Sequence, residues 1–255
     1  SVLLLKDRID QNFIDVCHTL KSCMGKVVLI GMGKSGHIAK KISSTLASTG
    51  TPAFYLHPGE AGHGDLGMIS HDDVVIMISY SGESDEIISL LPGIKRMNVP
   101  IISMTGNAKS TIASSSDFHM DVSVDKEACP HNLAPTSSTT VALVMGDAIA
   151  VSLISSNNFT SEDFAMSHPS GSLGRRLLTL VSSIMKSGKD IPMVSRETLL
   201  IDSLLVMSEK ALGMVLIAEN EKLIGIFTDG DLRRALESNV DFQKLAIGDV
   251  MTINC

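Results

Sequence analysis

Three serines and a glycine follow an apolar run in the stretch ISYSGES, residues 78–84. If the run is a buried strand and a helix begins after it, free backbone N–H groups and the helix dipole can bind a phosphate without lysine or arginine. The hydroxyls of Ser79, Ser81 and Ser84 would add further donors. Ordinary helix capping needs only one serine. The stretch therefore favours a phosphate-binding loop.

A second candidate for phosphate chemistry is VVLIGMGKSGH, residues 27–37, whose glycines have the spacing G-x-G-x-x-G. A P-loop needs a glycine five positions before Gly33, where this sequence has Val28. A dinucleotide site needs an acidic residue at the end of the next strand, but Glu60 falls beyond that strand, in a loop. The P-loop hypothesis therefore fails, and the dinucleotide hypothesis lacks its ribose partner. A tight strand-to-helix turn that requires glycine is the structural alternative.

Carboxylate, hydroxyl and imidazole groups gather in two later stretches. Glu127 precedes the run APTSSTT, which contains Thr136 and Ser137 and leads into a long apolar helix. His168 lies in the turn MSHPSG, ahead of another helical pattern. Taken alone, a loop glutamate is usually solvated and a loop histidine usually has no special role. Without further context, neither stretch assigns a function.

Strands that alternate with helices must position these groups. An amphipathic helix is predicted over residues 1–24 and a long helix over 136–156. Short apolar runs predict strands at residues 26–31, 52–57, 73–80 and 100–105, with a weaker fifth candidate at 117–122. Continuous apolar runs are typical of strands buried on both faces. The sequence therefore predicts an α/β fold with a five-stranded, parallel, doubly wound sheet.

A smaller second domain is predicted from Ser182 onward. The stretch LGMVLIAENEKLIGIFT reads as two strands joined by a turn, and Asp229 is placed to cap the helix that follows. Preceded by a short strand and a helix, these elements form a β-α-β-β-α module. AIGDVM resembles SSIMKS, so a second copy is predicted to begin there. The predicted domains are 1–181, 182–245 and 246–255.

Charge and composition exclude several classes of protein. The net charge is −7 and the sequence has no basic run, so binding to nucleic acid through phosphate contacts is not expected. The four cysteines lack metal-ligand spacing, which indicates free thiols in the cytoplasm. No apolar run reaches about 18 residues, so a membrane-spanning helix is not expected.

Several motifs resemble those of a known family. GMGKSGH, SYSGES and EACPHNLAPTSSTT, in this order within residues 25–180, resemble the sugar isomerase (SIS) family. HPGEAGHGDLGM and SHPSGSLGRRL narrow the resemblance to D-arabinose 5-phosphate isomerases, which supply the precursor of Kdo for lipopolysaccharide or capsule. IFTDGDLRRAL resembles the second half of a CBS (cystathionine-β-synthase-like) module. The resemblance implies a flavodoxin-like SIS sheet followed by a small CBS module.

The reaction that the resemblance implies converts D-ribulose 5-phosphate to D-arabinose 5-phosphate through a cis-enediol. It needs a base over C1 and C2, a group that polarises the carbonyl, and a phosphate anchor. By resemblance to glucosamine-phosphate isomerases, Glu127 is the expected base, with a pKa raised in a dry site. His168 is the second acid–base candidate. In relatives a histidine after the long helix reaches a neighbouring subunit's site, which implies a homo-oligomer, typically a tetramer.

Further site residues follow from the same resemblance. Lys34 could polarise the carbonyl or stabilise enediolate charge, with an exposed helix-start lysine as the alternative. His63 is a further site candidate, and Glu86, one turn into the phosphate-binding helix, is expected to pair with Lys34. Gly33 and Ser35 belong to the glycine turn, which is expected to approach a sugar phosphate.

No cofactor is implied by the resemblance. A folded cluster of His63, His168 and Glu127 could bind zinc, but the paired metal-ligand spacing is missing and enediol chemistry needs no metal. A divalent metal bound there is therefore expected to inhibit, and a nucleotide is the expected ligand of the CBS module. Three alternatives stay open: a non-catalytic phosphosugar sensor, an isomerase of another sugar phosphate, and a nicotinamide-dependent dehydrogenase.

Overall fold

The computed structural model describes residues 1–169, 171–238 and 241–253. The chain forms two units, which divide between Leu178 and Thr179. The segment 246–253, which the sequence separates as the start of another module, lies in the second unit with its Ile247 buried. The domain boundaries at residues 181 and 245 stay predictions.

The first unit is built on a parallel sheet of five strands. The strands are β1 (Val27–Gly31), β2 (Ala53–Leu56), β3 (Val74–Ile78), β4 (Ile101–Thr105) and β5 (Phe118–Asp121). They lie in the order β2-β1-β3-β4-β5, and every neighbouring pair is parallel. This order is that of a doubly wound, flavodoxin-like sheet. The predicted fold class is confirmed, including the weak fifth strand.

Helices cover both faces of this sheet. They are α1 (Gln11–Lys21), α2 (Gly33–Ser48), α3 (Pro58–Ala61), α4 (Asp85–Ile88), α5 (Leu91–Arg96), α6 (Thr111–Ser114), α7 (Ser137–Ser156), α8 (Ser161–Ser167) and α9 (Ser172–Leu178). Short 3₁₀ turns lie at Val2–Arg8 and Asp65–Met68.

Alternate strand residues build two separate cores. Leu29 and Ile76 lie in the core that contains residues of α1, α2 and α7. Val28 and Met77, one position away on the same strands, lie in the core that contains residues of α3 to α6. Because successive side chains of a strand point to opposite faces, strands that are apolar at every position bury both faces.

The N-terminal helix differs from its prediction. The sequence predicts one helix over residues 1–24, but the structure has a 3₁₀ turn, a break, and then α1. The Asp10 carboxylate accepts a hydrogen bond of 3.1 Å from the backbone N–H of Phe13, so Asp10 caps α1. A residue that caps a helix has non-helical backbone angles, which interrupts the predicted periodicity.

Helix α7 is apolar around most of its circumference because it packs in the core. It is long and apolar enough to cross a membrane by length and composition, which the sequence analysis did not expect. Its buried residues include Val141, Met145 and Ile149, and the core helix of a globular protein meets the same criterion. A Cβ at Gly146 would lie 2.3 Å from Ile42 Cδ1, so glycine there allows α2 and α7 to approach closely.

The second unit has the predicted β-α-β-β-α order. After α10 (Val181–Ile184) come β6 (Met193–Val194), α11 (Leu200–Lys210), β7 (Met214–Glu219), β8 (Lys222–Thr228) and α12 (Asp229–Glu237). Strand β7 is parallel to β6 and antiparallel to β8. The predicted cap, Asp229, is the first residue of α12; Thr228 caps this helix in a capping box with Asp231. Across β8, Ile226 pairs with Thr252.

Candidate active site

A cavity opens at the carboxyl ends of β1, β3, β4 and β5. Ser35 from α2, Tyr80 from the loop after β3, and Ser138 and Thr139 from α7 contribute to its lining. Ligands of open α/β sheets bind at this edge, next to the position where the strand order reverses, here between β1 and β3. The glycine turn, the serine loop and the start of α7 therefore meet at the expected place.

The serine loop after β3 is held by its own hydroxyls. Ser79 Oγ and Ser84 Oγ lie 2.8 Å apart, and Ser79 Oγ accepts a bond of 3.2 Å from the N–H of Gly82. Ser81 is exposed, and its Oγ accepts from the N–H of Glu83 at 3.2 Å. The hydroxyls that the sequence assigns to phosphate binding thus also fix the shape of the loop.

Free N–H groups remain in this loop. Within the described parts of the chain, no acceptor is found for the backbone N–H groups of Ser81, Ser84, Asp85 and Glu86. The last three precede or open α4, where the helix leaves its first donors without partners. These N–H groups can serve as the anion-binding donors of the loop.

The serine loop is in contact with the start of α6. Gly82 has φ +68°, and a Cβ there would lie 2.0 Å from Ser110 Oγ, so only glycine fits. The Glu83 carboxylate accepts a bond of 2.8 Å from the N–H of Thr111, and this bond lowers the pKa of Glu83. Glu83 is thereby tied to the first turn of α6.

The glycine turn after β1 depends on close backbone contacts. A Cβ at Gly36 would lie 2.7 Å from the Gly31 carbonyl oxygen and 2.7 Å from Tyr55 Oη. Tyr55 Oη donates a bond of 2.9 Å to that same carbonyl, and burial raises the pKa of the phenol, which keeps the donor proton in place. Gly33 has φ +54° and is exposed.

Lys34 does not form the ion pair expected with Glu86. Both side chains are exposed, and neither takes part in an ion pair within the described residues. Lys34 is the second residue of α2, and its charge stays unneutralised at the turn beside the cavity. Such an ammonium group can attract an anionic substrate or stabilise negative charge that forms during a reaction.

The Glu127 carboxylate caps helix α7. Its Oε2 accepts from the N–H of Thr136 at 2.8 Å, from Thr136 Oγ1 at 3.1 Å and from the N–H of Ser138 at 3.2 Å. Its Oε1 accepts from Ser138 Oγ. A carboxylate has about four lone-pair sites, two on each oxygen. Oε1 therefore retains room for another proton or donor.

These bonds set the direction of the Glu127 pKa. Burial raises the pKa, but the hydrogen bonds from Ser138 and Thr136 outweigh burial and hold it below its ordinary value. The raised pKa expected from the sequence is therefore wrong. The sequence-based expectation included only desolvation, which raises the pKa. In the structure, hydrogen-bond donors at the N-terminus of α7 favour the charged form and lower it.

Thr136 and Ser137 lie at the start of α7 in different roles. Thr136 is engaged with Glu127, and its Oγ1 also accepts from the N–H of Ala128 at 2.9 Å. Ser137 is half-buried and lines a second cavity, together with Thr139 and Thr140. Thr136 therefore supports the carboxylate. The Ser137 hydroxyl has no hydrogen-bond partner within the described part of the chain, so it is available for a ligand.

The two candidate histidines lie apart from these groups in the chain. His63 is exposed between two glycines after α3, and no side-chain hydrogen bond of His63 is found among the described residues. His168 ends α8, stacked on Phe164 at 4.0 Å between ring centroids. No hydrogen bond joins either imidazole to Glu127 in the described structure.

The tautomer of His168 follows from its partner. Nδ1 lies 3.0 Å from the Phe164 carbonyl oxygen, which can only accept, so Nδ1 carries the proton. In the neutral ring, Nε2 then has a free lone pair. His168 thus presents a proton acceptor away from α8.

Family models match both parts of the chain. The SIS domain model matches residues 20–152, and the CBS domain model matches residues 181–238. A curated Escherichia coli K12 protein named arabinose 5-phosphate isomerase KdsD is 55% identical over 249 residues, which cover 97% of this chain and 76% of the relative. The chain belongs to the arabinose 5-phosphate isomerase family.

Solved structures agree with membership of the arabinose 5-phosphate isomerase family. An E. coli CFT073 protein in complex with arabinose 5-phosphate is 48% identical, with a TM-score of 0.62 over 65% of this chain and 89% of that chain. The sugar isomerase domain of the RpiR transcription factor from Sphaerobacter thermophilus is 20% identical, with a TM-score of 0.51 over 64% of this chain and 89% of that chain. The latter likeness shows the fold alone. The identity to curated arabinose 5-phosphate isomerases means that the three alternatives, a phosphosugar sensor, an isomerase of another sugar phosphate and a dehydrogenase, are not favoured.

The described residues do not form a metal-binding site. They contain no group of three or more His, Cys, Asp or Glu side chains placed to hold a metal ion. The zinc cluster considered from the sequence, His63 with His168 and Glu127, is not assembled within one chain. The expectation that no metal is required stays a prediction.

Sequence reasoning missed three supporting residues of this family member's site. They are Tyr55, which holds the glycine turn; Ser138, which bonds the Glu127 carboxylate; and Glu83, which ties the serine loop to α6. Ser138 and Glu83 lie inside the motifs already quoted, so their positions gave a signal. Tyr55 gave none, because its partner, Gly31, lies on the neighbouring strand.

Proposed function

We propose that this chain interconverts D-ribulose 5-phosphate and D-arabinose 5-phosphate through a cis-enediol. One observation carries the assignment to these residues. The glycine turn, the anion-binding serine loop and the capped Glu127 carboxylate border one cavity at the carboxyl end of the sheet, through Ser35, Tyr80 and Ser138. The 55% identity to the E. coli K12 isomerase supports the same reaction.

The phosphate is anchored by the serine loop. The free N–H groups of Ser84, Asp85 and Glu86 donate to phosphate oxygens, and Ser81 adds an exposed hydroxyl. Because the loop is fastened to α6, binding costs little reorganisation. A fixed phosphate holds C1 and C2 in register with the acid–base groups.

Glu127 removes the proton from C1 of the ketose. Its carboxylate is ionised at neutral pH, and the hydrogen bonds that lower its pKa further favour this form. Oε1 has the open lone pair that receives the proton. The electron pair of the C–H bond forms the C1–C2 double bond, and the carbonyl oxygen becomes the enediolate oxygen. The same carboxyl group then returns a proton to C2, which gives the aldose.

Because the Glu127 carboxylate is a weak base, the enediolate intermediate must be stabilised by other groups. The hydrogen bonds that lower the pKa of Glu127 also lower its driving force for removing a proton. The unpaired Lys34 ammonium at the glycine turn stabilises the enediolate charge and so offsets this loss. Proton transfer between O1 and O2 falls to His168, whose Nε2 is free. Glu86 and His63 are exposed near the loops and orient the sugar hydroxyls.

His168 acts in the site of a neighbouring subunit. Within one chain no hydrogen bond connects His168 to Glu127 among the described residues, yet its ring is held in one tautomer by Phe164 and stacking. A homotetramer with shared sites brings the imidazole to a partner's cavity. The chain works in the cytoplasm, its product feeds Kdo synthesis, and a nucleotide binds the CBS module.

Turnover and subunit mixing test this function. The purified chain is assayed with D-ribulose 5-phosphate in EDTA, and arabinose 5-phosphate is detected by NMR. Glu127→Gln and His168→Asn are each expected to lose most activity, whereas unfolding and reassociating the two together is expected to restore part of it. No product from the wild type would refute the isomerase, and no restoration by mixing would refute shared sites.

Two secondary proposals need separate tests. Thermal unfolding with added adenine nucleotides tests the CBS ligand, because a nucleotide that binds the native state raises the Tm. Titration of Zn²⁺ into the EDTA-free assay tests whether a divalent metal inhibits. An increase of activity with metal would overturn the metal-free mechanism.

A further inference from the structure

Tyr80 reaches from the serine loop to another loop of the site. It lies between Ser79 and Ser81 and is 37% exposed. Its Oη accepts a bond of 3.2 Å from the N–H of Val124 and donates one of 3.2 Å to the carbonyl of Val124. The phenol therefore uses both its donor and an acceptor on one backbone position 44 residues away.

Val124 lies in the loop between β5 and α7, which also carries Glu127. The residues before it are held by Arg8, whose Nη1 donates to the Ser123 carbonyl at 2.9 Å and whose Nε lies 3.2 Å from Asp121 Oδ2. Among the described residues, Tyr80 links this loop to the serine loop through a side-chain hydrogen bond. The tyrosine ring also lines the cavity.

The ring of Tyr80 crosses directly over Gly106. A Cβ at Gly106 would lie 2.6 Å from the ring Cε2 atom and 3.0 Å from Cζ. The N–H of Gly106 donates to the Tyr80 carbonyl at 2.8 Å, so backbone and ring are both fixed against the end of β4. Glycine at this position is what allows the ring to extend to Val124.

We propose that Tyr80 is a positioning residue that sets the Glu127 loop in register with the phosphate anchor. The inference rests on the proposed isomerase function and assigns a positioning role to a residue that lines the cavity and bonds the Glu127 loop. One end of the substrate is bound by the serine loop and the other reacts at Glu127. The tyrosine bridge thus holds the loop that carries Glu127 against the serine loop.

The first experiment removes the hydroxyl and keeps the ring. In Tyr80→Phe, kcat for D-ribulose 5-phosphate is expected to fall about tenfold, because a small misplacement of a reacting group is costly. KM and the Ki of inorganic phosphate are expected to stay unchanged, because the N–H donors are intact. If Tyr80 only stabilised the fold, Tyr80→Phe would lower the Tm but would not lower kcat at an unchanged KM.

A second experiment tests the path through Gly106. Gly106→Ala should displace the ring and lower kcat about tenfold as well. In the Tyr80→Ala background no ring remains to be displaced, so Gly106→Ala should have no further effect on kcat. This double-mutant cycle measures coupling between the two positions. Gly230→Ala serves as the control, because its Cβ would meet nothing closer than 3.5 Å.

Backbone amide hydrogen exchange tests whether Tyr80 holds the Glu127 loop, and it does not depend on enzymatic activity. Amides of residues 123–128 should exchange faster in Tyr80→Phe than in the wild type, because the Val124 N–H loses its acceptor. Unchanged exchange, unchanged kcat in Tyr80→Phe, or a loss from Gly106→Ala that persists in Tyr80→Ala would each overturn the proposal. If the wild type makes no arabinose 5-phosphate, the proposed function fails, and exchange still decides whether Tyr80 holds the loop.

Discussion

The Oε2 atom of Glu127 lies 2.8 Å from the backbone nitrogen of Thr136, so the proposed base also closes the first turn of α7. The same carboxylate thus caps α7 and acts as the proposed base. The helix supplies the donors that keep the group ionised, and the group supplies the acceptor that the helix start requires. Changes at either end of this contact should therefore alter both stability and catalysis.

Glu127→Gln should lower kcat about 10³-fold, because positioned general bases contribute roughly 10² to 10⁴. The amide keeps one oxygen to accept from α7, so the chain should still fold. Steady-state kinetics with D-ribulose 5-phosphate measure the loss, and Glu197→Gln at an exposed position is the matched control. If Glu127→Gln retained activity, the base would be another group, such as His168 or Glu86.

Ser138→Ala should move the acidic limb of the kcat profile to higher pH. The Ser138 hydroxyl is the strongest of the bonds that lower the pKa of Glu127, so its loss raises that pKa. In the wild type the folded pKa lies below the unfolded one. The carboxylate therefore stabilises the fold above the unfolded pKa, and this stabilisation is lost as pH falls through the folded pKa.

The pH prediction has a control on the same helix. Ser155→Ala, near the exposed end of α7, should leave the acidic limb in place. The measurement is kcat against pH for three proteins, together with thermal unfolding at each pH. An identical acidic limb in Ser138→Ala and wild type would mean that Glu127 does not control it.

Gly36→Ala should lower the free energy of unfolding by about 1–3 kcal/mol, the usual effect of forcing an atom into filled space. The added Cβ would meet the Gly31 carbonyl and Tyr55 Oη, and neither can move without breaking the turn. Chemical denaturation followed by circular dichroism measures the change. Gly67→Ala, whose Cβ would meet nothing within 4 Å, should be nearly neutral.

Glu83→Ala should raise KM about fivefold and leave kcat unchanged, since the loop loses a hydrogen bond to a charged group. The change frees the serine loop from Thr111, so the anchor must be ordered when phosphate binds. Steady-state kinetics separate the two constants, with Glu197→Ala as the control. A fall in kcat at unchanged KM would contradict an anchoring role.

Asp231→Asn should destabilise the second unit by about 2 kcal/mol at neutral pH. Burial raises the pKa of Asp231, but bonds from Thr228, Arg234 and Thr252 outweigh it and hold the pKa below its ordinary value. Its contribution is thus present above the unfolded pKa and is lost as pH falls through the folded one. Denaturation at neutral and acidic pH measures this, with exposed Asp249→Asn as the control.

Local patterns predicted most of the fold because buried strands carry their own signal. Val28 and Leu29 are apolar neighbours with opposite faces, and the run they belong to is too short for a helix. The serine loop and the glycine turn were found for a similar reason, since each needs particular residue types at adjacent positions. The break at Asp10 was missed because one capping carboxylate overrides a helical period.

The candidate site could be predicted by residue type but not by geometry. The direction of the Glu127 pKa depends on Thr136 and Ser138 folding back over the carboxylate, which no spacing rule states. The bridge from Tyr80 to Val124 joins two residues that are separated in the chain by three helices and two strands. Contacts of that range are products of the tertiary fold, so only the structure gives them.

The close contact between Gly146 and Ile42 bears on how the enzyme could be altered. Helix α2 starts at the glycine turn and α7 starts at the Glu127 cap, and both helices contribute residues to the lining of the cavity. A bulkier side chain at position 146 would push α2 and α7 apart. Engineering for longer sugars can therefore begin in the hydrophobic interior, at positions that never meet the substrate.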